Sequence, residues 1–211
     1  MTGATGRPTH APRTFAGRLL AALALVVPLA ACAGPTIPPD RFYRIVVDAP
    51  PAPAAGPVLA GVLLVERPEA DGLLGGRPIV YAEVARPDEL REHGYDFWAE
   101  PPALMLQNVL VGYLRAANVA ELVVTPGLRV NADHRLSSRL RRFEHLVGDS
   151  PAAVLEIEFA LRDNRDDRIV LLRTYRAEAV PTDATLSAAV AAFGHAFTAI
   201  ATRLKADLRD G

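Results

Sequence analysis

Apolar and polar residues alternate most regularly in the second half of the chain, where the pattern predicts a pair of β-strands. Between residues 155 and 161 every second residue is leucine, isoleucine or phenylalanine, and the intervening residues are glutamate or alanine. This is the two-residue period of a strand that is buried on one face. Residues 163–167 are rich in aspartate, and a second apolar run follows at 169–180. The two segments therefore predict a β-hairpin.

Shorter apolar runs predict five further strands. They lie between clusters of proline, glycine and polar residues, which punctuate regular structure, at 42–47, 58–66, 79–84, 95–100 and 121–125. A further segment, 136–147, fits two kinds of element. Its apolar residues are spaced as on a helix, whereas its polar residues also permit a bulged strand. The pattern alone leaves this choice open.

Two segments have the three- and four-residue apolar spacing of helices that pack on one side. The first, 104–117, follows two prolines that suit a helix start, and it ends before Asn118, a plausible left-handed stop. The second follows Asp183, a capping residue, and its stripe runs from Leu186 to Leu208. That stripe packs on a sheet, and it also permits a homo-oligomer. We predict an α+β domain with a mainly antiparallel sheet, covered on one face by two long helices.

The apolar run at residues 19–31 predicts a signal peptide. Three arginines and no acidic residue precede it, and it is shorter than the roughly 20 residues of a spanning helix. It ends in the lipobox pattern of bacterial lipoproteins, Leu29-Ala30-Ala31-Cys32. We therefore predict a signal peptide at 1–31, a lipidated tether at 32–40 and a single domain at 41–211.

Cys32 is predicted to carry diacylglycerol on its sulfur and an N-acyl chain such as palmitate. Three acyl chains anchor firmly where one does not. The tether reaches under roughly 30 Å, so the domain must stay near its membrane. Because Cys32 is the only cysteine, neither an intramolecular disulfide nor a cysteine zinc cluster can form.

Composition and motifs argue against several classes of function. Without the signal peptide the chain has 20 basic and 24 acidic residues, so it lacks the excess of positive charge typical of nucleic-acid-binding proteins. The glycine-rich segment 72–78 lacks the lysine of a phosphate-binding loop. The serines lie in no nucleophile-elbow pattern, and the histidines lack zinc-ligand spacing. We predict no catalytic residues, no metal and no cofactor beyond the acyl chains.

Two groups of side chains keep alternative roles open. Glu156 and Glu158 lie about 7 Å apart on one strand face, within the rough carboxylate separation of glycosidases, so an envelope glycan hydrolase is a weaker alternative. The second group is aromatic. If exposed, these residues would contact a partner or lipid, and if buried they are core: Tyr81, Tyr95, Phe97 and Trp98.

The order of short motifs resembles the ABC-type transport auxiliary lipoproteins (PqiC-like). After the lipobox come a strand at 61–65 and four motifs: Arg41-Phe42-Tyr43, Arg77-Pro78-Ile79-Val80-Tyr81, Trp98-Ala99-Glu100-Pro101-Pro102 and Leu140-Arg141-Arg142-Phe143-Glu144. The paired strands and the closing helix follow. The resemblance covers the whole mature chain, and it argues that residues 136–147 form a strand.

The resemblance implies a non-catalytic lipoprotein on the periplasmic face of the bacterial outer membrane. Its partners would be an MCE-family periplasmic protein with an inner-membrane permease and ATPase, and the system would move phospholipid or other lipids. The residue after the cysteine, Ala33, is not the aspartate typical of inner-membrane retention. The alternative from another class is a periplasmic carrier that holds acyl chains in its own cavity.

Overall fold

The computed structural model describes residues 2–3, 6, 37–50 and 55–210. The predicted signal peptide and the lipobox, Leu29 to Cys32, lie outside the described residues except for three positions near the N-terminus. The chain divides into a unit at 1–39 and a unit at 40–211, and the second contains the folded domain. None of the helices in the described ranges is both long enough and apolar enough to span a bilayer.

The domain contains eight strands and two α-helices within the described residues. The strands are β1 (Arg41–Tyr43), β2 (Leu59–Val65), β3 (Pro78–Glu83), β4 (Arg86–Trp98), β5 (Ala120–Val124), β6 (His134–Val147), β7 (Ala152–Asp163) and β8 (Arg168–Ala179). The helices are α1 (Pro102–Ala116) and α2 (Leu186–Asp210). Short 3-10 turns occur at Gly72–Gly75 and Pro126–Leu128.

The sheet is built around β6 and is mixed, so the prediction of a mainly antiparallel sheet is wrong. β6, β7 and β8 form an antiparallel meander, and β3 pairs antiparallel with β4. The other four pairings are parallel: β1 with β4, β2 with β5, β2 with β6 and β3 with β6. The sequence pattern shows which residues are buried in a strand, but it does not show the direction of the neighbouring strand.

The path of the chain explains the parallel pairings. Between β2 and β3 the backbone continues along the same edge of β6, where Glu66 N donates to Leu136 O (2.9 Å) and Leu140 N donates to Glu69 O (2.8 Å). Both strands therefore run in the direction of β6. Helix α1 then returns the chain from β4 to β5, which lies parallel to β2. Helix α1, which makes this crossover, has 15 residues. The prediction of two long helices therefore holds for α2 only.

A β-bulge explains the ambiguous segment 136–147. The pairing of β6 with β7 shifts between Leu140 and Arg142, which leaves Arg141 as an extra residue. Leu136 and Leu140 are buried before the bulge, and Phe143 is buried after it. The extra residue converts the two-residue period into the spacing that resembles a helix. The segment is a strand, as the family resemblance argued.

Helix α2 supplies the long apolar stripe that was predicted. Thr185 caps it by accepting a hydrogen bond from Ala188 N (3.2 Å), two residues after the predicted cap, Asp183. Asp183 instead accepts from Thr185 N (2.7 Å) in the preceding turn. The stripe packs into the core formed with α1 and the sheet, through Val190, Phe193, Phe197, Ile200, Leu204 and Leu208. Burial of each such side chain contributes about 1.5–3 kcal/mol.

Strand β4 is longer than predicted, because its first half lacks an apolar pattern. Residues 86–90 are exposed on both faces. Backbone pairing with β3 orders them, and Arg86 and Arg91 bridge to Glu83 and Glu89 at 2.5 to 3.4 Å. The prediction at 95–100 found only the last part of the strand. Conversely, β1 ends at Tyr43, because the chain leaves the edge of β4 there.

Candidate functional site

The motifs that carry the family resemblance converge around Trp98, at the end of β4. The indole ring is 1% exposed. It stacks on Phe143 of β6, with ring centroids 4.9 Å apart, and meets the edge of Phe193 of α2 at 5.6 Å. Phe143 and Phe193 also contact each other at 4.6 Å. These three rings tie the middle of the sheet to the closing helix.

Arg77, at the start of the second motif, connects this aromatic core to the first strand. Its Nε donates to the carbonyl oxygen of Trp98 (3.1 Å), and Trp98 N donates to Arg77 O (2.7 Å). The guanidinium lies 5.2 Å from the ring centroid of Phe42, which is a cation–π contact. Because Phe42 belongs to β1, the first motif is held against the second and the third.

A buried carboxylate completes the link to β1. One carboxylate oxygen of Asp96 accepts a hydrogen bond from Arg41 Nη2 (3.0 Å). The other oxygen accepts from Tyr43 OH (3.2 Å) and lies 2.7 Å from Arg41 Nε. Ala99 N also donates to Tyr43 O (2.7 Å). A charge-assisted fork of this kind fixes geometry as well as energy. The first strand after the tether is therefore locked to β4 by a paired, largely buried charge.

The structure separates the four aromatic residues that were predicted as a contact group. Trp98 lies in the core and Tyr81 is half-buried, with its ring 4.6 Å from His93. Phe97 packs on Phe42 at 5.8 Å, and Tyr95 is 40% exposed. The sequence reasoning missed Phe42, Arg77 and Asp96 as a unit, although the first two belong to quoted motifs. Only the pairing of β1 with β4 brings them together.

The chain after β1 lies directly on helix α2. Ile45 is buried in the core, and a Cβ placed on Gly194 would overlap the carbonyl oxygen of Val46. A glycine at this position lets the extended segment approach the helix backbone closely. The domain thus begins with a segment, residues 41–47, that is fixed both to the sheet and to α2.

Two histidines sit beside this network without partners for one nitrogen each. His93 Nε2 and His145 Nδ1 are buried and make no hydrogen bond in the described part of the chain, and the rings stack at 6.4 Å. Burial lowers the pKa of His93, against the opposing effect of Asp96. Burial, followed by the nearby His93, lowers the pKa of His145. Both rings are therefore held neutral near pH 7.

Folding stability is expected to fall as the pH drops through the histidine range. An unfolded histidine has a pKa of about 6.5, and the folded pKa values lie lower, so the unfolded state binds more protons as the solution is acidified. Urea unfolding between about pH 7.5 and 5 should show this loss, and His145→Gln should reduce it. Exposed His195 provides the control, His195→Gln, which should retain the wild-type pH dependence. Equal slopes in wild type and His145→Gln would contradict the assignment.

The two glutamates of the hydrolase alternative lie on the charged outer face of the sheet. Arg141 bonds to Glu158 (2.7 Å) and lowers the pKa of that carboxyl. A glycosidase general acid needs a raised pKa, so Glu158 does not suit that role. In addition, no cluster of three or more His, Cys, Asp or Glu residues able to hold a metal occurs in the part of the chain that the structure describes.

Two pockets lined by described residues offer little support for an acyl-chain carrier. A cavity of about 140 Å³ lies between Leu59 of β2 and Leu208 of α2, and four ionisable side chains also line it; a volume near this holds about one benzene ring. A larger groove of about 530 Å³ is open, with Arg67, Gln107 and Asn108 in its lining. Ligand pockets usually bury most of the ligand and are lined mainly by apolar side chains, whereas this groove is open and polar side chains contribute to its lining.

The fold and these contacts define a small α+β domain whose first strand, next to the predicted tether, is bound firmly into the sheet. The family model for the ABC-type transport auxiliary lipoprotein component matches residues 43–205, so the chain belongs to that family. This confirms the resemblance that the motif order indicated. A comparison with curated proteins gave no match.

Solved structures agree with the family assignment. The crystal structure of protein XCC0632 from Xanthomonas campestris, of the DUF330 family, is 28% identical with a TM-score of 0.68, and the match covers 78% of this chain and 92% of that one. An uncharacterized protein shares the fold at 16% identity and a TM-score of 0.59, with 82% and 98% covered. The first structure thus shares both sequence and fold with this chain, and the second shares the fold.

Proposed function

We propose that this lipoprotein is a non-catalytic auxiliary subunit of an MCE-type ABC transport system that moves lipid, anchored at the periplasmic face of the bacterial outer membrane. The observation that carries the proposal is the family match over residues 43–205, which spans the folded domain. Membership supports an auxiliary role in transport. Beyond family membership, we propose that the cargo is lipid. We also propose that the partners are an MCE-family protein, a permease and an ATPase.

The location rests on the N-terminal sequence. The lipobox Leu29-Ala30-Ala31-Cys32 supports acylation of Cys32, and Ala33 supports transfer to the outer membrane. In this arrangement the ATPase and permease lie in the inner membrane, the MCE-family protein bridges the periplasm, and this domain holds its outer end. The short tether keeps the docking domain at the membrane.

A binding role agrees with the chemistry of the described residues. The ionisable side chains on the outer face of the sheet are mostly paired with one another, as in Arg135–Glu66 (2.6 Å) and Arg139–Glu69 (2.5 Å). Such pairs leave no free general acid or base at Glu158, whose carboxyl already bonds Arg141. The domain is suited to hold a partner in place.

Replacing Cys32 with serine should remove the protein from the outer-membrane fraction. Serine cannot form the thioether to diacylglycerol, so neither the lipid nor the lipobox cleavage would follow, and the short apolar run alone anchors weakly. Fractionation of envelopes by sucrose gradient, with the mass of the purified protein, would detect the change. Ala33→Ser, beside the cysteine, is the matched control and should stay acylated in the outer membrane.

Loss of the gene should weaken the outer-membrane barrier. A deletion strain is expected to be more sensitive to detergent than its parent and to recover when the wild-type gene is restored. The Cys32→Ser gene should fail to restore resistance. Normal detergent resistance and an unchanged lipid distribution in the deletion strain would count against a role in lipid transport.

A further inference from the structure

The outer side of the segment that follows the tether carries a short apolar stripe. Phe42 is 57% exposed and Val46 is 74% exposed. Between them lies Arg44, which is exposed and pairs with no carboxylate in the described part of the chain. The three residues alternate with the less exposed Tyr43 and Ile45, so they share the outer side of this segment. We call this set, Phe42, Arg44 and Val46, the tether stripe.

The residues between them explain why the stripe faces outward. Arg41 and Tyr43 bond to Asp96, and Ile45 is buried in the core. The alternate residues Phe42 and Val46 keep more than half of their surface exposed. Phe42 is held in place by Phe97, at 5.8 Å, and by the guanidinium of Arg77, at 5.2 Å. The exposed ring is thus positioned by the fold and is not a free loop residue.

We propose that the tether stripe rests in the interface of the bilayer to which Cys32 is anchored. This inference deepens the proposed function and rests on its lipid anchor. Phe42 is the tenth residue after Cys32 in the sequence, and ten residues of fully extended chain span at most about 36 Å. A surface held this close to a membrane meets it at high effective concentration, so a weak contact is enough.

The chemistry of the stripe suits the lipid interface. Aromatic and aliphatic side chains enter the boundary between head groups and acyl chains, and arginine binds phosphate through its planar fork of donors. Asp40 and Asp48 flank the stripe and balance Arg41 and Arg44 in charge. Insertion therefore depends mainly on the two apolar side chains, and the charge of Arg44 adds little to it. The contact should accordingly change little with salt.

A fluorophore on the stripe tests the contact directly. Because Cys32 is acylated in the full-length lipoprotein, an introduced cysteine is the only free thiol. Val46→Cys would be labelled with an environment-sensitive dye and placed in vesicles of phosphatidylethanolamine and phosphatidylglycerol, with or without brominated acyl chains. The control is Leu172→Cys on β8, which is similarly exposed at 64% and belongs to the sheet away from the tether.

The expected result is a blue shift and bromine quenching at residue 46, with neither at residue 172, and the same result at high salt. Emission typical of water at residue 46 would overturn the inference. A blue shift without quenching by brominated lipid would indicate a protein contact and would also overturn it. Flotation with the vesicles distinguishes failure of the stripe contact from failure of the lipid anchor. A protein that floats but shows no quenching is anchored without the stripe contact. A protein that does not float lacks the anchor as well.

Discussion

Replacing Trp98 with alanine should lower the free energy of unfolding by about 3–5 kcal/mol, the usual cost of truncating a large buried aromatic. The indole is 1% exposed and packs on Phe143 and Phe193, so its removal leaves a cavity between the sheet and α2. The backbone around it also receives Arg77, which holds β1 through Phe42. Equilibrium unfolding in urea, followed by circular dichroism, would measure the loss.

A second aromatic residue of β4, Tyr95, provides the control. Tyr95 is 40% exposed and lies outside the core cluster, so Tyr95→Ala should change the free energy of unfolding by less than about 1 kcal/mol. A large loss for Tyr95→Ala together with a small loss for Trp98→Ala would contradict the packing described here. If Trp98→Ala does not fold, Trp98→Phe keeps a ring in the cavity and should give a smaller, measurable loss.

Replacing Gly194 with alanine should also destabilise the domain, by about 0.5–2 kcal/mol in total. Alanine favours a helix over glycine by about 1 kcal/mol. The new methyl group, however, would overlap the Val46 carbonyl oxygen and displace the segment that buries Ile45. Burial of an isoleucine contributes about 1.5–3 kcal/mol, so the displacement outweighs the helix gain. Urea unfolding gives the energy, and hydrogen exchange at residues 41–47 locates the change.

Gly112 in α1 is the matched control, because it is also a glycine inside a helix. A Cβ placed there has no atom within 4 Å. Gly112→Ala should therefore stabilise the domain by up to about 1 kcal/mol through helix propensity alone. Stabilisation by both substitutions would show that the segment after β1 does not pack against α2 in the way the structure has it.

Elements with a strong apolar period could be predicted from the sequence. The alternation in β7 and the stripe of α2 each fix which face is buried, and both predictions are confirmed within a few residues. The first half of β4 has no such period, since residues 86–90 are exposed on both faces. Pairing direction is also absent from a periodic pattern. The parallel neighbours of β6 follow from the route of the chain between Val65 and Pro78, which no local signal reveals.

The candidate site was predictable as motifs and not as an arrangement. The segments around Phe42, Arg77, Trp98 and Phe143 were recognised in order along the chain, but their convergence depends on the pairing of β1 with β4 and on the bulge at Arg141. Trp98 lies in the core. The exposed ring of this region is Phe42 on β1, which the sequence pattern did not single out as a contact. Cys32 remains a prediction, because it lies outside the described residues.

Affinity purification of the full-length lipidated protein would show whether it serves an MCE-type transport assembly. Envelopes would be solubilised in mild detergent, and the copurifying proteins identified by mass spectrometry against the Cys32→Ser variant. We predict recovery of an MCE-family protein with its permease and ATPase, in amounts that depend on Cys32. If the acylated protein is recovered alone, in an amount at which a stoichiometric partner would be detected, the proposed role in transport is wrong.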